Sequence, residues 1–67
     1  MEKEYRERIL NLLSRNDGLS VMEIIIVGGF VPEAKRSVHE LLLHMKRNHE
    51  VVLEETKEAG LVYRLSK

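Results

Sequence analysis

The three histidines, His39, His44 and His49, are the side chains of this sequence best suited to binding a metal ion. Two ligands on one helix share a metal ion when they lie three or four residues apart, because that spacing puts them on one face. These histidines are five residues apart and therefore belong to three different faces, so the spacing predicts no metal site. We expect His49, near the apolar stripe at the end of a helix, to be a partly buried capping side chain.

Patterns for nucleophilic catalysis and phosphate binding are also missing. There is no cysteine, which removes thiol nucleophiles and thiolate metal sites. The Gly28-Gly29 pair follows no predicted strand and precedes no lysine-serine pair, so it predicts a tight turn and not a phosphate loop. No serine stands in a pattern with a histidine and a carboxylate; the serines are Ser14, Ser20, Ser37 and Ser66. We expect no enzyme activity, no cofactor and no small-molecule substrate.

Length and charge limit the possible functions further. The 67 residues allow one domain, residues 1–67, and 43% hydrophobic with 33% charged residues is typical of a folded chain. The 11 basic and 11 acidic residues cancel, so attraction to nucleic acid requires an uneven distribution of charge. The same balance lowers the barrier to self-association. The charged N-terminus and the short apolar run at residues 24–27 predict a cytoplasmic protein with no signal peptide and no membrane partner.

Apolar periodicity predicts three helices that must position any functional side chains. The first covers about residues 3–15 and ends at Asn16-Asp17-Gly18. The second covers 20–27, begins with a capping box of Ser20 and Glu23, and stops at Gly28-Gly29. The third covers 32–48, and its apolar stripe consists of Ala34, Val38, Leu41, Leu42 and Met45.

The last part of the chain changes to a β-strand pattern. Residues 51–55 and 61–65 are rich in β-branched and apolar residues and predict a hairpin with a five-residue connection. A very short strand near Leu19 could pair with this hairpin. The sequence therefore predicts an α+β fold of three helices followed by a β-hairpin.

This succession of elements resembles the winged helix-turn-helix family over about residues 5–65. Residues 19–24 (LSVMEI) resemble the start of the family's second helix, and residues 29–32 (GFVP) resemble its turn between the second and third helices. The end of the third helix, residues 40–42 (ELL), is followed by a strand start at Val51-Val52, and residues 60–65 (GLVYRL) resemble the closing strand of the wing.

The resemblance implies a small DNA-binding regulator of transcription. In that family the third helix reads the major groove and the wing touches the flanking backbone. Carried over to this chain, the implied contacts to the groove and the phosphates are Lys35, Arg36, Ser37, His39, Lys46, Arg47 and Arg64. A chain this small makes few base contacts, so a homodimer reading two half-sites is expected.

A helical wheel of the third helix places Arg36, Leu43 and Arg47 opposite its apolar stripe. Lys35 and Lys46 complete an outward basic cluster that suits guanine edges and phosphates. A solvated face with ion pairs is the other interpretation, because acidic residues are interspersed. The wing tip, residues 54–58 (EETKE), is net acidic and unsuited to gripping phosphate.

The second helix is apolar on both sides. If Val21, Ile24 and Ile25 face the core, then Met22, Ile26 and Val27 fall on the side that is usually polar. Either the helix is covered on all sides, or it carries a patch for a partner or a second copy, which we favour. The alternative to a DNA-binding protein is thus a protein–protein interaction module, with an expected interface of Met22, Ile26, Val27 and Leu43.

Overall fold

The structure is a computed structural model that describes the backbone of residues 2–66 and the side chains of residues 3–66. Three helices precede a two-stranded antiparallel hairpin, and this α+β layout is consistent with a winged helix. The elements are α1 (Glu2–Arg15), α2 (Val21–Val27), a 3-10 turn (Pro32–Ala34), α3 (Lys35–Arg47), β1 (Val51–Thr56) and β2 (Gly60–Leu65).

The predicted apolar stripes form the core. The whole stripe of α3 is buried, and Val38, Leu42 and Met45 are completely inaccessible to solvent. Ile9 of α1 and Ile24 of α2 pack into the same cluster, also with no exposed surface. The helices therefore meet through side chains at helical spacing, and their other faces are left for solvent or partners.

The start of α2 confirms the predicted capping box. Glu23 donates its backbone N–H to the Ser20 hydroxyl at 3.2 Å, and Ser20 donates its own N–H to the Glu23 carboxylate at 2.9 Å. The helix ends at Val27 and is capped by Gly28, which donates its N–H to the carbonyl of Ile24. Gly29 follows with φ +69°, so the glycine pair is the turn that the sequence predicts.

The third helix is shorter than predicted. Pro32 begins a single 3-10 turn, in which Ala34 donates its N–H to Val31 at 2.9 Å. The α-helix itself begins at Lys35 and ends at Arg47. No side chain caps this helix start, and the tighter winding lets backbone carbonyls accept hydrogen bonds from its first N–H groups.

The end of α3 corrects the prediction for His49. The imidazole is exposed, and the residue has φ +63°, which is the left-handed conformation that commonly ends helices. The backbone makes the cap, because His49 donates its N–H to Lys46 and Glu50 donates its N–H to Met45. The expectation of a partly buried capping side chain was therefore wrong, since the turn directs the side chain into solvent.

The hairpin is longer than predicted, and its connection has three residues, 57–59, instead of five. The Thr56 hydroxyl accepts the N–H of Ala59 and donates to the carbonyl of Gly60, each at 3.0 Å, which closes the turn early. The predicted short strand near Leu19 is confirmed as a single β-bridge to Tyr63. No helix in the described part of the chain is long and apolar enough to cross a membrane.

Candidate nucleic-acid interface

The outward face of α3 carries the predicted basic cluster. Its cations, all exposed, are Lys35, Arg36, Lys46 and Arg47. They form one pair at each end of the helix, and the pairs are about 16 Å apart at a rise of 1.5 Å per residue. Leu43 lies between them and is 41% exposed. This face therefore has positive ends and a partly apolar middle.

One of these cations is engaged in a local ion pair. Arg36 Nε lies 3.5 Å from Glu40 Oε2, one helical turn away. The two side chains are 91% and 67% exposed, so solvent screens the pair. Within residues 3–66, Lys35, Lys46 and Arg47 form no ion pair. The cluster can therefore approach a phosphate without first breaking a buried contact.

The two edges of α3 differ in their neighbours. Lys35, Arg36 and His39 line a shallow groove shared with Val21 at the start of α2. Ser37 instead lines a cleft with Tyr5 of α1. The structure thus brings His39 next to Lys35 and Arg36, whereas Ser37 lies on the edge of the helix that faces α1.

Arg64 is separated from the basic cluster of α3. On β2 it lies opposite Val52, with Nη1 at 3.3 Å from Asp17 Oδ1 and Nη2 at 3.0 Å from Glu54 Oε1. Its Nε is buried and has no hydrogen-bond partner among the described residues. The guanidinium therefore joins the end of α1 to the wing, and its two carboxylate partners neutralise it.

The acidic side chains of the wing are exposed as the sequence suggests. Glu54, Glu55 and Glu58 are open to solvent, and Lys57 is the cation among them. Phosphate would repel this segment. The wing is therefore unsuited to gripping the DNA backbone.

The outer side of α2 is apolar and exposed. The exposed fractions are 53% for Met22, 71% for Ile26 and 57% for Val27, whereas Ile24 and Ile25 are buried. The helix is therefore not covered on all sides, and its outer residues form an exposed apolar patch. Leu43 lies on α3, about 12 Å along that helix from Lys35, which lines a groove with Met22 and Ile26.

Two features of this region are absent from the sequence-based predictions. Val31 is 56% exposed in the turn after α2 and extends the apolar surface. Arg8 of α1 has its guanidinium carbon 4.9 Å from the ring centroid of Phe30, and its Nη1 donates to the carbonyl of Gly28 at 3.5 Å. Tyr5 and Arg8 are three residues apart on α1, so the sequence indicates that Arg8 lies near the ring of Tyr5. The contact of Arg8 with Phe30 depends on the tertiary fold.

The three histidines stay apart from any shared ligand site. Within the described residues, no group of three histidine, cysteine or carboxylate side chains is arranged to hold a metal ion.

A comparison of the chain with protein-family models, curated protein sequences and solved structures finds no match in any of the three. Function is therefore inferred from two exposed faces, the basic outward face of α3 and the apolar outer side of α2.

Proposed function

We propose that this chain is a small DNA-binding protein that regulates transcription, with the outward face of α3 in the major groove. The observation that carries the proposal is the placement of two exposed basic pairs at the two ends of this face. Their separation of about 16 Å is comparable to the major groove, which is about 12 Å wide. A helix crossing the groove brings one pair towards each side of the groove, where the cations can reach phosphates and the nearby base edges.

The individual roles follow from position on the helix. Lys35 and Arg36 stand at the start of α3, where Arg36 is suited to the bidentate acceptor edge of guanine. His39 lies beside them, and Leu43 offers an apolar contact to a thymine methyl group. Lys46 and Arg47 neutralise phosphates at the other rim. Ser37 and Arg64 are left out, because Ser37 faces α1 and Arg64 is engaged with two carboxylates.

The proposal predicts modest affinity with a definite salt dependence. Three phosphates are neutralised per copy when Arg36 reads a guanine, and four at most, so a plot of log K against log salt has a slope of about −2.7 to −3.6 for each bound copy. Two copies on adjacent half-sites double this slope. The acidic wing adds nothing to it.

Titration of a labelled duplex at low salt tests the proposal. Replacing both Lys35 and Arg36 by alanine is expected to weaken binding at least tenfold, at roughly 1 kcal/mol per lost contact. The matched control removes Lys3 and Lys57, which lowers the net charge equally but leaves α3 intact. No binding at tens of micromolar, or equal losses in both double variants, rejects DNA reading by α3.

A second candidate function, a protein–protein interaction module, is favoured by the exposed apolar side of α2. Association through an apolar surface is insensitive to salt, whereas DNA binding weakens steeply as salt rises. Association with protein at all salt concentrations, together with no binding to duplex DNA, would support this second function.

A further inference from the structure

The apolar face of α2 is large for a protein of this size. We define it as Met22, Ile26, Val27 and Val31, each of them more than half exposed. Together they offer on the order of 400 Å² of apolar surface, which matches the largest patches that monomers usually expose. The inner side of the same helix is buried through Ile24 and Ile25, so the helix is already fixed and the face is fully formed.

The size of this face fits one half of a dimer interface. A standard interface buries about 800 Å² per partner, of which somewhat more than half is apolar. The four side chains therefore supply most of the apolar part that one copy needs. The groove beside them, about 310 Å³, offers a recess for a side chain of the opposite copy next to the start of α3. It is lined by Met22, Ile25, Ile26, Phe30, Pro32 and Lys35.

Charge at the two ends of the face points to the identity of the partner. Glu23 lies exposed at the N-terminal end of α2, and the Arg8 guanidinium lies at its C-terminal end, against the carbonyl of Gly28. A two-fold axis through the middle of the face brings each end onto the opposite end of the other copy. This symmetry places Glu23 of each copy opposite the partner's Arg8, so the interface contains two such pairs. The zero net charge of the chain adds no repulsion.

We propose that the face of α2 is the two-fold interface between two copies of this chain, with the two α2 helices packed antiparallel. Ile26 lies near the axis, and Glu23 pairs with the partner's Arg8 at both ends. The interface is independent of DNA, so it can be measured on the protein alone. Its failure would leave the DNA-binding proposal untouched.

Sedimentation equilibrium of the full chain is the first test. The wild type is expected at twice the chain mass of 7.8 kDa. Ile26→Glu puts a charge into the apolar centre and is expected to raise the dissociation constant roughly thirtyfold or more. Leu61→Glu is the matched control, because Leu61 is 57% exposed on the wing and should leave the dimer intact. A wild type that stays monomeric at about 0.5 mM overturns the proposal.

Disulfide trapping tests the same contact without a disruptive charge. The chain has no cysteine, so Ile26→Cys and Leu61→Cys each introduce a single thiol. Under mild oxidation Ile26→Cys is expected to form a covalent dimer rapidly, because disulfides need Cα atoms within about 7 Å. Equal crosslinking of the two variants argues for random collisions and overturns the proposal, even if Ile26→Glu fails to fold.

Charge exchange tests the antiparallel arrangement. Glu23→Lys and Arg8→Glu are each expected to weaken the dimer several-fold, and the double variant is expected to recover most of the loss. Both side chains also make contacts within their own copy, so circular dichroism must show unchanged helix content. A folded double variant that remains as weak as the single variants contradicts the pairing of Glu23 with the partner's Arg8.

Discussion

The backbones of Leu19 and Tyr63 exchange two hydrogen bonds, with the N–H of Leu19 at 2.9 Å from the Tyr63 oxygen and the reverse bond at 2.7 Å. Tyr63 also pairs with Leu53 on the other side, so Leu19, Tyr63 and Leu53 lie in one row. This row attaches the hairpin to the segment that leads into α2. The helices and the wing are therefore held together by backbone as well as by the core.

The burial of Tyr63 predicts a loss of stability at high pH. Desolvation raises the pKa of the Tyr63 phenol above its ordinary value of 10.0. Well below pH 10 the phenol is neutral in both the folded and unfolded states and has no effect on the free energy of unfolding. As the pH rises through 10 the unfolded state loses the proton more readily than the folded state, so the free energy of unfolding falls. Urea unfolding between pH 8 and about 11 should show a smaller decrease for Tyr63→Phe than for the wild type.

Absorbance provides an independent check on the same group. Tyr5→Phe leaves Tyr63 as the sole tyrosine of the chain. Its phenolate signal should appear at higher pH in the folded protein than in the protein unfolded by urea. Coincident titration curves would contradict a desolvated Tyr63.

The helices were predictable from sequence because their signals are local. The stripe of Val38, Leu42 and Met45 repeats at helical spacing, and Ser20 with Glu23 forms a complete cap within four residues. The sequence also favoured an exposed apolar side of α2, because Met22, Ile26 and Val27 fall opposite the core, but it left open whether that side is covered by the rest of the fold.

Other features depend on contacts between distant segments. The ion pairs of Arg64 with Asp17 and Glu54 join three parts of the chain, and the spacing of these residues in the sequence does not predict them. The exposure of Val31 depends on how the turn after α2 meets the core. The removal of Arg64 from the proposed DNA interface is the main functional consequence of this tertiary information.

Gly28 is expected to tolerate no side chain. A Cβ at this position would lie 2.6 Å from the Ile24 oxygen, 2.7 Å from Phe30 and 2.9 Å from Leu12. Gly28→Ala should therefore lower the free energy of unfolding by about 2 kcal/mol or more. Gly29→Ala meets no atom within 4 Å but keeps φ +69°, so its cost should be about 1 kcal/mol. Urea unfolding of the two variants measures the difference. Gly28 has φ −76°, which any residue adopts, so equal losses would contradict the predicted clash at Gly28.

The left-handed His49 is expected to be a site where glycine stabilises the fold. At φ +63° the Cβ of His49 crowds its own backbone, which costs free energy. The imidazole is exposed, so it makes no buried contacts that would offset this cost. His49→Gly should raise the free energy of unfolding by about 0.5–1 kcal/mol. The same substitution at His44, inside α3, should lower it by about 1 kcal/mol. Thermal unfolding compares the two, and a loss of stability in His49→Gly contradicts the strain.

Glu40 limits the affinity of the proposed DNA interface. Its carboxylate pairs with Arg36 on the outward face of α3 and stands where phosphates or base edges would approach. Glu40→Gln removes the repulsion, keeps the size of the side chain and releases the guanidinium, at a cost of only about 0.3–0.5 kcal/mol in helix stability. Duplex binding is expected to tighten roughly two- to fivefold at low salt and less at high salt. Glu58→Gln changes the net charge equally at the wing tip and should have little effect. If α3 enters the groove, the gain from Glu40→Gln must also shrink when Arg36 is replaced by alanine, because part of it acts through that guanidinium.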